Sequence, residues 1–283
     1  MKKIKTLTVI SYLKDIDEDI QYISSVTHFN QQQQETEVLN YTNDGELESK
    51  TITVYNEKNQ KVKELYYFDS GELSEEHFFT WSTEGKLEKQ QINYPDESVS
   101  VKKYLRSGNI LEITTTDEFD ETEEKELIEI NEQGDTLSKT VYDEDDEIKD
   151  QIINEFNDNN RLIKQTEYGA NNMFILARHY QYYDNNLLHK IILANDKNQI
   201  TDTITYTYDN LDRIIHQEVS HRYSIVYEYN DAENSIIESH ILANGVLDSK
   251  RITYFDADKR VIEEETLDVV KKYSYVFYSD DEL

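Results

Sequence analysis

Three alternating aspartates near the N-terminus have the types and spacing that could support metal chemistry. Asp15, Asp17 and Asp19 match the alternating ligands of a calcium-binding loop. The glycine and the distal glutamate of such a loop are missing, and Val26 stands where that glutamate would be. We therefore expect a solvated acidic loop at these positions and no bound metal.

Other residues that could act in catalysis are present, but without a specific arrangement. His216 and His221, or His179 and His189, could meet across hairpins, although isolated histidines are more often surface residues than ligands. The chain has no cysteine, no phosphate-binding glycine loop and no nucleophile motif. Its 22 tyrosines could stack a sugar, but their regular recurrence favours packing between strands. We therefore predict a protein that is not an enzyme and that needs no cofactor.

Acidic residues are concentrated in one stretch of an already acidic chain. The formal net charge is −30, which disfavours nucleic acid and anionic membrane surfaces as partners, and no membrane insertion is expected. Residues 117–158 contain 18 acidic and three basic side chains, whereas residues 161–222 are neutral. This stretch is the candidate partner-binding site. The alternative is a solvent-exposed surface where acidic residues accumulated by neutral drift. The candidate residues are Glu121, Glu123, Glu124, Glu126, Asp143, Glu144, Asp145, Asp146 and Glu147.

A repeat organises the whole sequence and would position these residues. Aromatic or apolar residues followed by Asn/Asp-rich turns occur at positions 29, 55, 81, 104, 130, 156, 182, 208, 229, 255 and 278. Seven of the ten intervals between these positions are 26 residues long, as from 130 to 156. A second series of turns lies midway between the positions. Asn, Asp and Gly tolerate the positive φ angles of tight turns, and side chains alternate between the turns as they do in strands. Each 26-residue unit is therefore predicted to be one β-hairpin.

The predicted fold is an all-β antiparallel meander of about ten tandem hairpins. Some twenty strands in one flat sheet would span roughly 95 Å, and open sheets of more than about ten strands usually curl. We therefore expect a curved or superhelical sheet. The predicted organisation is an N-terminal strand and acidic loop over residues 1–28, then a single continuous repeat domain over residues 29–283.

The clearest copy of the repeat resembles a known family. Tyr206-Thr207-Tyr208-Asp209, followed by Arg213-Ile214, is similar to the YD repeat of the rearrangement-hotspot family, although Asp212 stands where that family has glycine. The resemblance implies a β-repeat fold. Proteins of that family form large β-shells around toxic regions, and smaller relatives include interaction modules and antitoxins.

These observations lead to three hypotheses for function. The first is a cytoplasmic, non-enzymatic immunity or antitoxin protein that neutralises a basic toxin by occluding it. It rests on the acidic stretch, the extended repeat surface and the family resemblance. The second is a structural scaffold or shell-like repeat protein of the cell envelope. The third, which the sequence supports least, is a carbohydrate-binding or carbohydrate-active protein.

Overall fold

The computed structural model describes residues 2–14 and 20–282, and these residues form a single antiparallel sheet. Short 3-10 turns cover Ala170–Asn172 and Asp280–Glu282. The described residues contain 22 strands, which are β1 Ile4–Leu13, β2 Ile20–Phe29, β3 Glu35–Tyr41, β4 Leu47–Tyr55, β5 Lys61–Tyr67, β6 Leu73–Trp81, β7 Leu87–Asn93, β8 Val99–Ser107, β9 Ile110–Thr116, β10 Thr122–Ile130, β11 Thr136–Tyr142, β12 Ile148–Phe156, β13 Leu162–Gly169, β14 Met173–Tyr182, β15 Leu188–Ala194, β16 Ile200–Tyr208, β17 Ile214–Val219, β18 Tyr223–Asn230, β19 Ser235–Leu242, β20 Leu247–Phe255, β21 Val261–Glu265 and β22 Val269–Phe277.

The sheet closes on itself, because β1 pairs with both β2 and β22. Leu7 lies opposite Tyr275 and Val9 lies opposite Tyr273 across the closing pair. The predicted curved or superhelical open sheet of about ten hairpins is therefore wrong. The chain is an all-β, 22-stranded antiparallel barrel in which each strand pairs with its neighbours in sequence. Among the 22 described strands, closure leaves none with a free edge, which removes the aggregation hazard of a long open meander.

Contacts between the two ends of the chain reinforce this closure. The backbone N–H of Tyr278 donates to the carbonyl of Lys3, with 3.0 Å between the two atoms. The Lys5 ammonium lies 2.5 Å from a carboxylate oxygen of Glu282. The hydrogen bond from Lys5, followed by those from Ser279, lowers the pKa of Glu282 to about 2. The N-terminal strand is thus tied to the C-terminal turn across the seam.

The 26-residue spacing corresponds to two strands and two turns. Eight of the eleven aromatic or apolar positions in the repeat series are the last residues of even-numbered strands. Where that residue is a tyrosine or tryptophan, its polar atom often donates to the first carbonyl of the preceding strand. Tyr182 and Tyr208 donate to the carbonyls of Leu162 and Leu188, each at 2.8 Å. The repeated aromatic residue therefore joins the two strands of its own hairpin.

The turn that follows this aromatic residue explains the acidic and basic residues of the motif. Asp209 accepts hydrogen bonds from the backbone N–H groups of Leu211 and Arg213, which fixes the turn. Its carboxylate also pairs with the guanidinium of Arg213 at 2.7 Å. That guanidinium lies 4.1 Å from the ring centroid of Tyr229, the next aromatic of the series. The Tyr-Asp-x-x-x-Arg pattern therefore links successive hairpins.

One turn carries an unfavourable residue, which gives a stability prediction. Glu97 has a φ of +71°, the left-handed conformation that glycine adopts at the equivalent Gly45 and Gly71. We expect Glu97→Gly to raise the free energy of unfolding by about 0.5–1 kcal/mol in urea denaturation, because an L side chain is strained there. Glu97→Gln removes the charge but keeps the strain. If both variants gain equally, charge repulsion and not backbone strain is the cause.

The barrel exposes much more surface than a compact protein of the same mass would. Its accessible surface is 17774 Å², whereas a compact folded chain of this mass exposes about 12,700 Å². Ser11 is the only described side chain buried to below 2% exposure, and the buried apolar residues are few and scattered. A round barrel of 22 tilted strands would measure on the order of 40 Å across its backbone, too wide for side chains to fill. The wall itself must therefore supply the stability.

Candidate functional site

The turns of an up-and-down barrel form two rims, and one of them carries most of the acidic residues. We call the rim built from turns after odd-numbered strands the odd rim. Five successive turns of the odd rim form what we call the acidic arc. They contain 15 acidic and no basic residues. The five turns are residues 42–46, 68–72, 94–98, 117–121 and 143–147.

The structure places the nine predicted binding residues in two settings. Glu121 and residues 143–147 lie in the last two turns of the acidic arc, which are neighbours on the odd rim. Glu123, Glu124 and Glu126 lie in β10, below these turns. Six of the nine residues are exposed, and Glu124, Glu126 and Asp143 are half-buried. The predicted stretch is thus one end of a longer acidic surface.

All three lysines of the stretch are paired with its carboxylates. Lys139 lies 2.6 Å from Glu126, Lys149 lies 2.9 Å from Glu124, and Lys125 lies 2.5 Å from Asp146. The turn residues Glu144, Asp145 and Glu147 form no ion pair in the described structure. The unneutralised charge is therefore concentrated at the turn tips, where a partner would approach.

Two of the acidic residues have a structural role. Asp143 accepts hydrogen bonds from the backbone N–H groups of Asp145 and Glu147, each at 3.0 Å. Asp117 does the same for Phe119 and Glu121. Replacing either residue would disturb the turn itself. Charge-reversal experiments should therefore avoid both positions.

Two exposed aromatic side chains lie among these carboxylates. Phe119 is 76% exposed and Phe68 is 51% exposed, and each lies in a turn of the acidic arc. Large apolar side chains at such exposure are candidate anchors for a partner, since their burial would contribute binding energy. The acidic residues dominate this stretch of the sequence, and charge alone does not mark the two aromatics. Aligning the turns at the period of the repeat would have revealed both the aromatics and the three earlier acidic turns.

A second set of odd-rim turns, within residues 20–282, is electrically neutral. Five further turns, residues 170–172, 195–199, 220–222, 243–246 and 266–268, contain two acidic and two basic residues. We call this set the neutral arc. Large apolar side chains next to these turns are exposed, among them Met173, Ile200 and Leu267. The ten described turns of the odd rim therefore fall into a charged set and a neutral set flanked by exposed apolar side chains.

Side chains of four neighbouring strands, β4 to β7, form a buried polar network. Glu64 is 8% exposed and directly opposite His77, which is 9% exposed. The Glu64 carboxylate accepts hydrogen bonds from Lys61 at 2.7 Å, Tyr66 at 2.7 Å and Thr53 at 3.1 Å. His77 in turn contacts Glu75 at 2.7 Å and Gln90 at 3.2 Å. Each polar group is satisfied, which favours a structural role.

The ionisation of this network follows from these contacts. Burial opposes the charged form of Glu64, but the hydrogen bonds from Lys61, Tyr66 and Thr53 outweigh it and lower the pKa of the carboxyl. Burial, followed by the hydrogen bond to Glu64, raises the pKa of the Tyr66 hydroxyl. The network therefore holds a carboxylate and a neutral phenol. The network could not be predicted from the sequence, because its members come from successive strands and no local motif marks them.

The histidine pairs considered from sequence do not form sites. His179 lies opposite Ile192, while His189 contacts the ring of Tyr183 at a centroid distance of 4.3 Å. His216 lies opposite Val226 on β18, and His221 lies in the next turn. Across residues 2–14 and 20–282, no group of three or more His, Asp or Glu side chains could hold a metal ion. Asp15, Asp17 and Asp19 lie outside the described residues.

The described part of the chain contains no helix with the length and hydrophobicity needed to span a bilayer. No protein-family model matches the sequence, and no curated protein matches it.

Solved structures with a similar arrangement of strands include two porin-like proteins. That of Bacteroides uniformis has 11% sequence identity and a TM-score of 0.33, over 96% of this chain and 98% of the other. That of Bacteroides vulgatus has 10% identity and a TM-score of 0.28, over 74% and 100%. The Photorhabdus luminescens Tc holotoxin pore has 9% identity and a TM-score of 0.28, over 94% of this chain and 18% of that one.

Two predictions about biology need correction at this point. The cytoplasmic location is wrong, because a closed antiparallel barrel with an even number of strands is the architecture typical of outer-membrane proteins. The assignment as an immunity protein built on an open YD-repeat sheet is wrong as well. That assignment rested on the acidic stretch, the family resemblance and an extended open repeat surface, and closure through β1 and β22 removes the last of these.

Proposed function

We propose that this chain is a non-enzymatic barrel that binds a basic protein partner through the acidic arc. One observation carries the proposal: five adjacent turns present 15 carboxylates and no basic side chain. Clustered carboxylates repel one another, and a basic partner would relieve that repulsion. Arginine side chains of the partner could pair bidentately with the carboxylates.

The two exposed phenylalanines complete this surface. Charge at a rim mainly raises the rate of association, whereas desolvated apolar contacts slow dissociation. Phe68 and Phe119 lie within the charged turns and are available for such contacts. The proposed site thus combines long-range attraction with two apolar anchors.

Although a closed, even-stranded barrel is typical of outer-membrane proteins, we propose that this barrel does not lie in the lipid phase. Charged residues lie in the strands on both faces of the wall, with Lys63 and Glu76 on one face and Glu64 and Glu75 on the other. A lipid-embedded barrel needs an outward apolar band about 25 Å tall. Neither face offers such a band in β5 and β6, which supports binding from water.

A charge-reversal experiment tests the acidic arc. Glu118, Glu144 and Asp145 are exposed and cap no turn, so replacing all three with Lys should leave the fold intact. With an Arg-rich peptide as the probe, we expect at least a tenfold slower association at low ionic strength, measured by stopped-flow fluorescence. The wild-type rate should fall steeply as salt is added, because screening shortens the range of the field.

The matched control changes the net charge equally on the other rim. Glu57, Asp158 and Asp184 are exposed in turns after even-numbered strands, and replacing them with Lys adds the same six charges. This control should retain most of the wild-type rate. Equal slowing in both variants would mean that net charge alone attracts the peptide, and a structural shell would then be the better account.

A further inference from the structure

We infer that the neutral arc is the contact surface of a homodimer, in which two barrels meet through the apolar halves of their odd rims. The first cluster of this arc surrounds the turn at residues 195–199. Met173, Ile175 and Ile200 are exposed there by 63%, 53% and 66%. Beneath them, Ala177 lies opposite Ala194, and Ala194 lies opposite Ile200.

The second cluster is formed by the next two hairpins. Tyr223 and Leu242 lie directly opposite each other and are 36% and 40% exposed. Val246 ends the following turn and Leu247 begins β20, and they are 54% and 49% exposed. Leu267, 65% exposed, extends the surface to the turn between β21 and β22. Apolar side chains of this number on adjacent turns need a cover, because isolated soluble barrels rarely expose such patches.

The area of the surface matches what a dimer requires. Side chains of these sizes and exposures together present roughly 800 Å² of apolar surface, which is about the area that each partner buries in a standard protein interface. A two-fold axis places the same patch on both sides of the contact. An apolar arc is complementary to itself in this arrangement, which a charged arc would not be.

The charge distribution determines which surfaces of two copies of this chain can meet. Each chain has a net charge of −30, so two copies repel each other over most of their surfaces. On the odd rim, the neutral arc, with two acidic and two basic residues, meets a second copy with much less repulsion than the acidic arc would. Contact there keeps the two acidic arcs apart. It also leaves them free, so dimerisation does not depend on the proposed function.

Analytical ultracentrifugation of the full chain over a range of concentrations tests this inference. We expect a monomer–dimer equilibrium between 33.6 kDa and twice that mass. Replacing both Ile200 and Leu267 with Asp should weaken association at least tenfold. The matched control replaces Leu105 and Leu211, each 63% exposed and outside the arc, with Asp and should leave the dimer unchanged.

Ionic strength provides a second, opposite readout. Added salt should strengthen the dimer, because it screens repulsion between two acidic chains, whereas it should weaken peptide binding at the acidic arc. A chain that stays monomeric at all concentrations and salt levels overturns the inference. So does equal weakening by both Asp pairs, or a monomer whose neutral arc binds vesicles of zwitterionic lipid. Failure of the acidic-arc experiment alone would leave the dimer intact.

Discussion

A disulfide should form readily between β1 and β22 when Leu13 and Val269 are both replaced with Cys. The two residues lie directly opposite each other, and the neighbouring N–H of Lys14 donates to the carbonyl of Asp268 at 2.8 Å. Paired positions on adjacent strands meet the distance that a disulfide requires. The natural chain has no cysteine, so no other pairing can compete. We expect most of the protein to cross-link within the monomer under mild oxidation.

The cross-linked product should migrate as a monomer in a non-reducing gel and should unfold at a higher urea concentration. The bond would close a loop that contains almost the whole chain, which the chain-entropy model predicts to stabilise by roughly 5–6 kcal/mol. A control with Cys at Leu13 and Tyr142 places the second thiol on β11, far around the barrel. That pair should not cross-link within the monomer. Equal yields from the two pairs would contradict the closed barrel.

The hairpin repeat could be predicted from the sequence because its causes are local. The turn of Asp209 depends on hydrogen bonds to Leu211 and Arg213 just after it, and the aromatic–Asn/Asp pattern marks its position. The same pattern locates the ends of most even-numbered strands. The position of a residue such as Tyr208 at the end of a strand can therefore be predicted from the sequence alone.

Closure could not be predicted, because it depends on small angles summed over the whole sheet. The twist between two neighbouring strands varies by tens of degrees. Whether the first and last of 22 strands come close enough to pair depends on the sum of these angles over the whole sheet. Val9 and Tyr273 lie near opposite ends of the chain, and neither residue identifies the other as its partner. An open superhelix and a closed barrel thus share almost the same local sequence signals.

The acidic arc shows how a site can be partly visible in a sequence. Asp143 to Glu147 form a continuous run, so the stretch is recognised directly. Asp44, Asp69 and Asp96 lie in three turns that are well separated in the sequence, and only the meander brings these turns side by side. The division of the odd rim into acidic and neutral halves is likewise a property of the closed arrangement and not of any one segment.

Glu64→Gln should lower the free energy of unfolding by about 2 kcal/mol at pH 7, since hydrogen bonds to a buried charged group contribute about 1.5–3 kcal/mol. The variant keeps the shape of the side chain but removes the charge that Lys61, Tyr66 and Thr53 surround. Glu155→Gln is the matched control, because Glu155 pairs with Lys164 at 2.7 Å and is 51% exposed. An exposed pair of this kind contributes little, so we expect a loss of only a few tenths of a kcal/mol.

The pH dependence of the difference between wild type and Glu64→Gln identifies the ionised carboxylate as the cause. The pKa of Glu64 is lowered in the folded protein, whereas in the unfolded chain it is about 4.3. The stabilisation is therefore fully present above about pH 5 and is lost as the pH falls through the folded pKa. Urea denaturation from pH 7 down to pH 3 should show the gap between the two proteins constant at first and then narrowing. A gap that widens on acidification would show that Glu64 is protonated in the folded barrel, and the network would then have to be held together by its neutral hydrogen bonds alone.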